Sequence, residues 1–125
     1  MNILVDTHVV LWWLDDPKKL SDKARQLIES IENNIFVSSA VVWEIIIKKS
    51  IGKLKAPDNL LEMLKGEGFI SLSITDQHAI RLEQLPPIHQ DPFDRIQIAQ
   101  ALTEGLTLIT IDKKILQYDL ACIKA

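Results

Sequence analysis

Five short apolar runs, separated by segments in which apolar residues recur every three or four positions, organise the chain. The runs are Ile3–Val5, Ile35–Val37, Phe69–Ile74, Leu106–Thr110 and Leu120–Ile123. The runs predict strands and the intervening segments predict helices. Strands that alternate with helices favour crossover connections, and therefore a mostly parallel sheet that is covered on both faces. The pattern predicts an α/β fold, a three-layer α/β/α sandwich of about five strands with Leu120–Ile123 at an edge. No repeat or linker divides residues 1–125, so we expect a single domain.

Several residue types indicate where the helices begin. Ser21 is placed to cap a helix whose apolar positions run to Ile31. Asn59 and Glu62 have the spacing of a capping box for a later helix. Pro92 follows an aspartate and suits the first position of a third helix.

Composition limits the cellular setting. The single cysteine, Cys122, cannot form an internal disulfide, which favours a reducing compartment. The N-terminal segment reaches Asp6 without a basic lead, unlike a signal peptide, and no apolar run approaches the ~20 residues of a membrane span. We therefore expect a cytoplasmic protein with no membrane partner.

Four carboxylates stand just beyond apolar runs although they are far apart in the chain. They are Asp6, Glu44, Asp94 and Asp112. The carboxyl ends of the strands in an open α/β sheet form the crevice in which ligands bind, so these side chains are expected to converge there. Four like charges repel one another unless a cation lies among them, and carboxylate oxygens suit Mg²⁺ or Mn²⁺. The sequence thus predicts a metal-dependent enzyme in which all four are catalytic and metal-binding residues.

Each acid also has a purely structural interpretation. Asp6 and Asp112 each precede a helical or turn segment that either could cap. The run from Asp91 to Asp94 has the composition of a helix start, with a cap, a proline and an acid in the first turn. A helix start at the crevice would still direct Asp94 into it. We favour Asp94 as the direct metal ligand, with Asp91 as the cap or as a residue of the outer coordination shell.

Glu44 lies in a helical segment, Val41–Ile47, that is apolar on nearly every side. Such a helix is expected to be largely buried. Burial of an unpaired carboxylate is costly, so Glu44 needs a partner. That partner is either a metal ion or a basic residue such as Arg95.

Other polar and aromatic residues carry weaker signals. The three histidines, His8, His78 and His89, show no metal-binding spacing and are interpreted as loop or packing residues. Trp12 and Trp13 suit either the core or a surface for a dimer or another protein partner. The net charge of −3 does not favour a nucleic-acid partner. Without the four acids and Asp91 the formal charge would be +2, so the acidity does not exclude RNA or DNA.

Five segments, taken in order, resemble the PIN-domain ribonucleases, and more narrowly the VapC-like toxins of type II toxin–antitoxin systems. They are Leu4–His8, Val42–Ile45, His89–Arg95, Ile98–Ala101 and Leu108–Asp112. The run Asp-Pro-Phe-Asp-Arg followed by Ile-Ala-Gln-Ala is the most specific of them. The resemblance extends over essentially the whole chain.

The resemblance implies a PIN-like α/β/α sandwich, usually a homodimer, in which Asp6, Glu44, Asp94 and Asp112 match the acidic quartet that binds one or two Mg²⁺ or Mn²⁺ ions. It implies an endoribonuclease that hydrolyses RNA phosphodiester bonds, and a cognate antitoxin protein that neutralises it. Two alternatives stay open: a non-catalytic binding or dimerisation module, and a metal-dependent phosphatase. The phosphatase would require a second acid two residues after Asp6, where His8 stands.

Overall fold

Five strands form one parallel sheet in the computed structural model, which describes residues 1–125. The strands are β1 (Asn2–Val5), β2 (Asn34–Ser38), β3 (Ile70–Leu72), β4 (Thr107–Thr110) and β5 (Cys122–Lys124). The helices are α1 (Thr7–Asp15), α2 (Asp22–Glu29), α3 (Ser39–Ser50), α4 (Leu60–Gly66), α5 (Asp76–Arg81) and α6 (Pro92–Glu104). The sheet order is β3-β2-β1-β4-β5, and every neighbouring pair is parallel. The predicted α/β architecture with five strands is confirmed.

The two faces of the sheet carry separate apolar cores. Ile3 and Val5 of β1 point to one face, where buried side chains of α1, α2, α3 and α4 cover them. Leu4 points to the opposite face and packs with Ile98 of α6. Because side chains alternate along a strand and both faces are covered, the apolar strand runs are continuous rather than alternating. The result is the three-layer sandwich.

The central strand β1 lies at the point where the chain changes direction across the sheet. From β1 the chain passes through helices on one face to β2, whereas β4 joins the other edge of β1 after α6 on the opposite face. Diverging connections of this kind leave a crevice at the carboxyl ends of the strands. The N–H of Asp6 donates to the carbonyl of Ile109 at 3.1 Å, which fixes the first residue after β1 against the end of β4.

Three local predictions are corrected by the structure. Helix α2 ends at Glu29, and Ile31 lies beyond it with its side chain fully exposed. Asn59 precedes α4 but makes no side-chain capping hydrogen bond. Helix α3 is not buried on every side, since Trp43 is 58% exposed and Ile46 is 50% exposed. In addition, none of the helices is long and apolar enough to cross a membrane.

Candidate active site at the carboxyl end of the sheet

Asp6 both caps α1 and lies at the floor of the crevice, with only 4% of its surface exposed. Its Oδ1 accepts the N–H of Thr7 at 2.7 Å and the Nε2–H of Gln97 at 3.1 Å. Its Oδ2 accepts the hydroxyl of Thr110 at 2.7 Å. Burial raises the pKa of Asp6 above its usual range, the hydrogen bonds oppose that rise, and the charge of Glu44 adds to it. The carboxylate of Asp6 therefore caps α1 and lines the crevice at the same time.

Glu44 is 5% exposed and both of its oxygens have partners. The Thr7 hydroxyl donates to Oε1 at 2.6 Å, and the Lys48 ammonium lies 2.6 Å from Oε2. Lys48 follows Glu44 by one helical turn, the spacing of a stabilising ion pair. The basic partner is therefore Lys48 and not Arg95, whose guanidinium donates to backbone carbonyls of the loop before α6 and of residue 82.

The start of α6 can supply both a helix cap and a carboxylate in the crevice, and Asp91 and Asp94 serve these purposes separately. Asp91 is the cap: its Oδ1 accepts the N–H groups of Phe93 at 2.9 Å and of Asp94 at 3.1 Å. Asp94 accepts no hydrogen bond from the backbone, and its Oδ2 lies 2.9 Å from Nε2 of His89. Asp91 therefore uses its Oδ1 to accept backbone N–H groups, whereas the carboxylate of Asp94 is free of backbone donors.

The pKa of Asp94 is raised to about 8. Burial is the main cause, and the negative charges of Asp6, Asp91, Asp112 and Glu44 raise it further. All five carboxylates line the same crevice. An ionised Asp94 is therefore unfavourable unless a cation compensates for its neighbours.

Asp112 follows β4 by two residues and also serves as a turn cap. Its Oδ1 accepts the N–H groups of Lys114 at 2.8 Å and Ile115 at 3.2 Å, while Oδ2 lies 2.9 Å from Nε2 of His89. Burial acts to raise the pKa of Asp112, but the hydrogen bonds from His89 and from these backbone groups outweigh it, and the pKa is lowered. The protein itself therefore stabilises the ionised form of Asp112.

His89 is the crevice residue with the weakest signal in the sequence. Its sequence context predicts a loop or packing residue, yet its ring lies between Asp94 and Asp112. Oxygen or nitrogen atoms of these three side chains lie within 4.8 Å of one another. The only local signal was its place two residues before the cap Asp91, a spacing that has no metal-binding signature.

Basic residues also reach the crevice. Lys48, Lys113 and Lys114 line it together with His8, and Ile111 is the only apolar residue in its wall. The crevice has a volume of about 460 Å³. A negative floor with lysines at its margin can accommodate a cation and a phosphate group next to each other.

The free oxygen lone pairs of the crevice fit a hard divalent cation. Oδ1 of Asp6 is saturated by two N–H donors, whereas Oδ2 accepts only the Thr110 hydroxyl. Asp94 retains most of its accepting capacity and needs a neighbouring positive charge to ionise. Such oxygen-rich, carboxylate-dominated sets are preferred by Mg²⁺ and Mn²⁺.

The PIN domain family model matches residues 3–120, nearly the whole chain. The chain belongs to the PIN domain family. The ribonuclease VapC22 of Mycobacterium tuberculosis (strain ATCC 25618 / H37Rv) is 29% identical to this PIN domain over 118 residues, which cover 91% of this chain and 89% of that protein.

Solved structures share the fold at lower identity. VapBC2 from Rickettsia felis bound to a DNA fragment from its promoter has a TM-score of 0.72 and 16% identity, covering 99% of this chain and 98% of that one. A toxin–antitoxin complex from Klebsiella pneumoniae has a TM-score of 0.65 and 21% identity, covering 97% of this chain and 95% of that one. Both support the architecture of this PIN domain along its full length.

Proposed function

We propose that this PIN domain is a metal-dependent endoribonuclease that hydrolyses RNA phosphodiester bonds and acts as the toxin of a toxin–antitoxin pair. The observation that carries the proposal is the convergence of Asp6, Glu44, Asp94 and Asp112 in one crevice, where a cation would favour the ionised form of Asp94. The similarity to ribonuclease VapC22 supports RNA as the substrate. Residues 1–125 then act as one catalytic domain.

In this proposal Asp6 and Asp94 hold Mg²⁺ or Mn²⁺, and Glu44 and Asp112 complete the site or hold the attacking water. When bound, the ion supplies stabilisation of the negative charge on the phosphate and makes water more acidic. The protein contributes orientation. Thr110 and Gln97 fix the carboxylate of Asp6 through hydrogen bonds of 2.7 and 3.1 Å, so that it is preorganised for its ligand.

Glu44 is oriented in the same way from the other side of the crevice. The Thr7 hydroxyl and the Lys48 ammonium, each 2.6 Å away, hold its two oxygens. A carboxylate held in this position can accept a proton from a water molecule that attacks phosphorus. Lys48 is 38% exposed at its side chain and can also attract a phosphate oxygen.

Protein partners follow from the same assignment. One structural neighbour is a toxin–antitoxin complex, which supports a cognate antitoxin for this chain. A homodimer is also part of the proposal. The exposed apolar side chains Trp43, Ile46 and Ile47 of α3 support a protein-binding surface, because contiguous exposed apolar residues are typical of interfaces.

One observation favours a second candidate, a non-catalytic binding module. Asp6, Asp91 and Asp112 all cap backbone N–H groups, and Glu44 has an ion-pair partner, so these four acids have structural roles without metal. A titration with Mn²⁺ distinguishes the two. The enzyme binds the ion, whereas the module has an unchanged melting temperature when Mn²⁺ is added.

The decisive experiment is incubation of labelled total RNA with the purified protein in Mg²⁺, in Mn²⁺ and in EDTA, beside Asp6→Asn. Discrete fragments that require metal and are absent with the variant would establish the nuclease. Asp22→Asn is the matched control, because Asp22 is an exposed acid that pairs with Arg25 and does not line the crevice, and it should cleave as the wild type does. Full cleavage by folded Asp6→Asn would contradict the assignment.

A further inference from the structure

Every polar group of His89 has a partner within the protein. Its N–H donates to the Tyr118 hydroxyl at 2.7 Å, and its carbonyl accepts from Arg95 at 3.1 Å. Its Nδ1 accepts the N–H of Asp91 at 3.2 Å, and its Nε2 lies 2.9 Å from Oδ2 of Asp112. The residue is 8% exposed. Such a residue is locked in one orientation, unlike an ordinary loop histidine.

These contacts determine which ring nitrogen carries the proton. A nitrogen that accepts a backbone N–H must present its lone pair, so Nδ1 is unprotonated. The neutral ring then carries its proton on Nε2, the nitrogen that faces the carboxylates. In this tautomer Nε2 has no lone pair to offer a metal ion. His89 is therefore a hydrogen-bond donor within the acidic crevice.

The Nε2–H group lies between acids that come from separate parts of the chain. Oδ2 of Asp112, which follows β4, and Oδ2 of Asp94, in the first turn of α6, are each 2.9 Å from Nε2. Two neighbouring carboxylates repel each other when both are ionised, and an N–H group placed between them reduces that repulsion. We propose that His89 is a positioning residue that holds the Asp94 and Asp112 carboxylates together for a divalent cation without ligating it.

The proposal rests on the proposed function and adds a residue to it. Groups that orient metal-binding carboxylates affect affinity without touching the ion, typically by 10–100-fold. His89 differs from such partners in one respect: its Nε2 forms a hydrogen bond with Asp112 and also lies 2.9 Å from Oδ2 of Asp94. Its loss should therefore release both of them at once.

The chain contains a matched control in His78. Its Nδ1 accepts the N–H of Thr75 at 3.0 Å, and its Nε2 lies 2.8 Å from Glu104, so it has the same tautomer and the same kind of partner. It is completely buried between α5 and α6 and does not line the crevice. Replacement of His78 should affect the stability of the fold alone.

The test measures Mn²⁺ binding by titration calorimetry, with thermal melting in EDTA as the check on folding. His89→Leu should weaken binding by about 10–100-fold. His89→Gln, whose amide can donate from nearly the position of Nε2, should be weakened by less than about tenfold. His78→Leu should melt at a lower temperature and bind Mn²⁺ with wild-type affinity.

A second measurement addresses the tautomer directly. Nitrogen-15 NMR of the metal-free protein should show His89 protonated at Nε2, and saturation with Mg²⁺ should leave that proton in place. A metal ligand would instead lose the Nε2 proton when the ion binds. The Nδ1–H tautomer, or loss of the Nε2 proton in Mg²⁺, would overturn the proposal.

The remaining outcomes separate this proposal from the proposed function. Wild-type Mn²⁺ affinity in His89→Leu, or equal losses in the Leu and Gln variants, would overturn the positioning role even if RNA is cleaved. Dependence of Mn²⁺ affinity on His89 in a protein that cleaves no RNA would support the positioning role and overturn the nuclease.

Discussion

Two cavities of similar size lie on this molecule, and their walls have opposite chemistry. The acidic crevice at the carboxyl end of the sheet has a volume of about 460 Å³, and the cavity between α1 and the segment leading into α4 has about 420 Å³. The second is mostly apolar and includes Leu11, Trp12, Leu14 and Met63. Volume therefore does not distinguish a site from a packing gap. A binding site is distinguished by polar groups that need a partner from outside the protein.

The acidic crevice and the apolar cavity differ in whether their charged groups have partners within the protein. In the crevice, Asp94 has few hydrogen-bond donors and many acidic neighbours, so its ionised form needs a cation. In the apolar cavity no buried charge needs compensation, and Asp15 and Lys55 lie at its margin. Changes to the crevice should thus alter chemistry more than stability, whereas changes to the apolar cavity should do the reverse.

The largest effect is expected for Asp94→Asn. Loss of a group that merely supports a metal ligand costs about 10–100-fold in affinity, so loss of the proposed ligand should cost more than about 100-fold in Mn²⁺ affinity and in cleavage rate. Calorimetry and the RNA assay would measure both. Trp12→Ala, in the other cavity, is the control and should cleave normally. Wild-type Mn²⁺ affinity in Asp94→Asn would contradict the proposal that the acidic crevice, unlike the apolar cavity, binds a cation.

The next effect concerns the pH dependence of stability in EDTA. The pKa of Asp94 is about 8 in the folded protein and near 3.8 when unfolded, so between these values the folded state binds more protons. Stability should therefore fall as pH rises through this window, by up to about 1.4 kcal/mol per pH unit from this group. Urea unfolding at pH 5, 6 and 7 would test it. Asp94→Asn should flatten the dependence, and Trp12→Ala should retain it.

A smaller effect is expected in the apolar cavity itself. Trp12 is partly buried against the core that covers the α1 face of the sheet. Its truncation to Ala should lower the free energy of unfolding by about 1–3 kcal/mol, less than for a fully buried tryptophan. Urea denaturation at fixed pH is the measurement. An unchanged midpoint would mean that Trp12 contributes nothing to that core.

The smallest effect concerns lysines at the two cavities. Lys113 lines the acidic crevice, whereas Lys55 lines the apolar cavity. If Lys113 contacts a phosphate of single-stranded RNA, Lys113→Ala should reduce the slope of log affinity against log salt by about 0.7. RNA binding would be measured over a salt series with Asp6→Asn, which we expect not to cleave. Lys55→Ala should leave the slope unchanged, and an equal effect of both substitutions would argue against a specific RNA path.

Features that depend on short stretches of sequence are predicted more accurately than the exact ends of helices. The strands were predicted because a buried parallel sheet requires apolar runs, and all five were found. The end of α2 was misplaced because Ile31 continues the apolar spacing although the helix stops at Glu29. The capping role of Asn59 failed because a capping-box spacing does not ensure that the side chain reaches the N–H groups.

Helix α3 illustrates a different limit. Its apolar composition correctly placed Glu44 in a buried position. The same composition predicted burial on every side, yet Trp43 and Ile46 are exposed in the isolated chain. Sequence hydrophobicity does not distinguish a face that packs within the chain from one that is available to a partner.

The order of strands and helices, and the four acids that follow the apolar runs, can be recognised in the sequence because backbone periodicity and strand ends are local properties. Which polar groups meet depends on how the chain folds. The tertiary structure joins His89 to Asp94 and Asp112, and it gives Glu44 the partner Lys48. The physical reason is that hydrogen bonds and charge interactions depend on distances of about 3 Å, whereas spacing along the chain constrains such distances only within a single helix or turn.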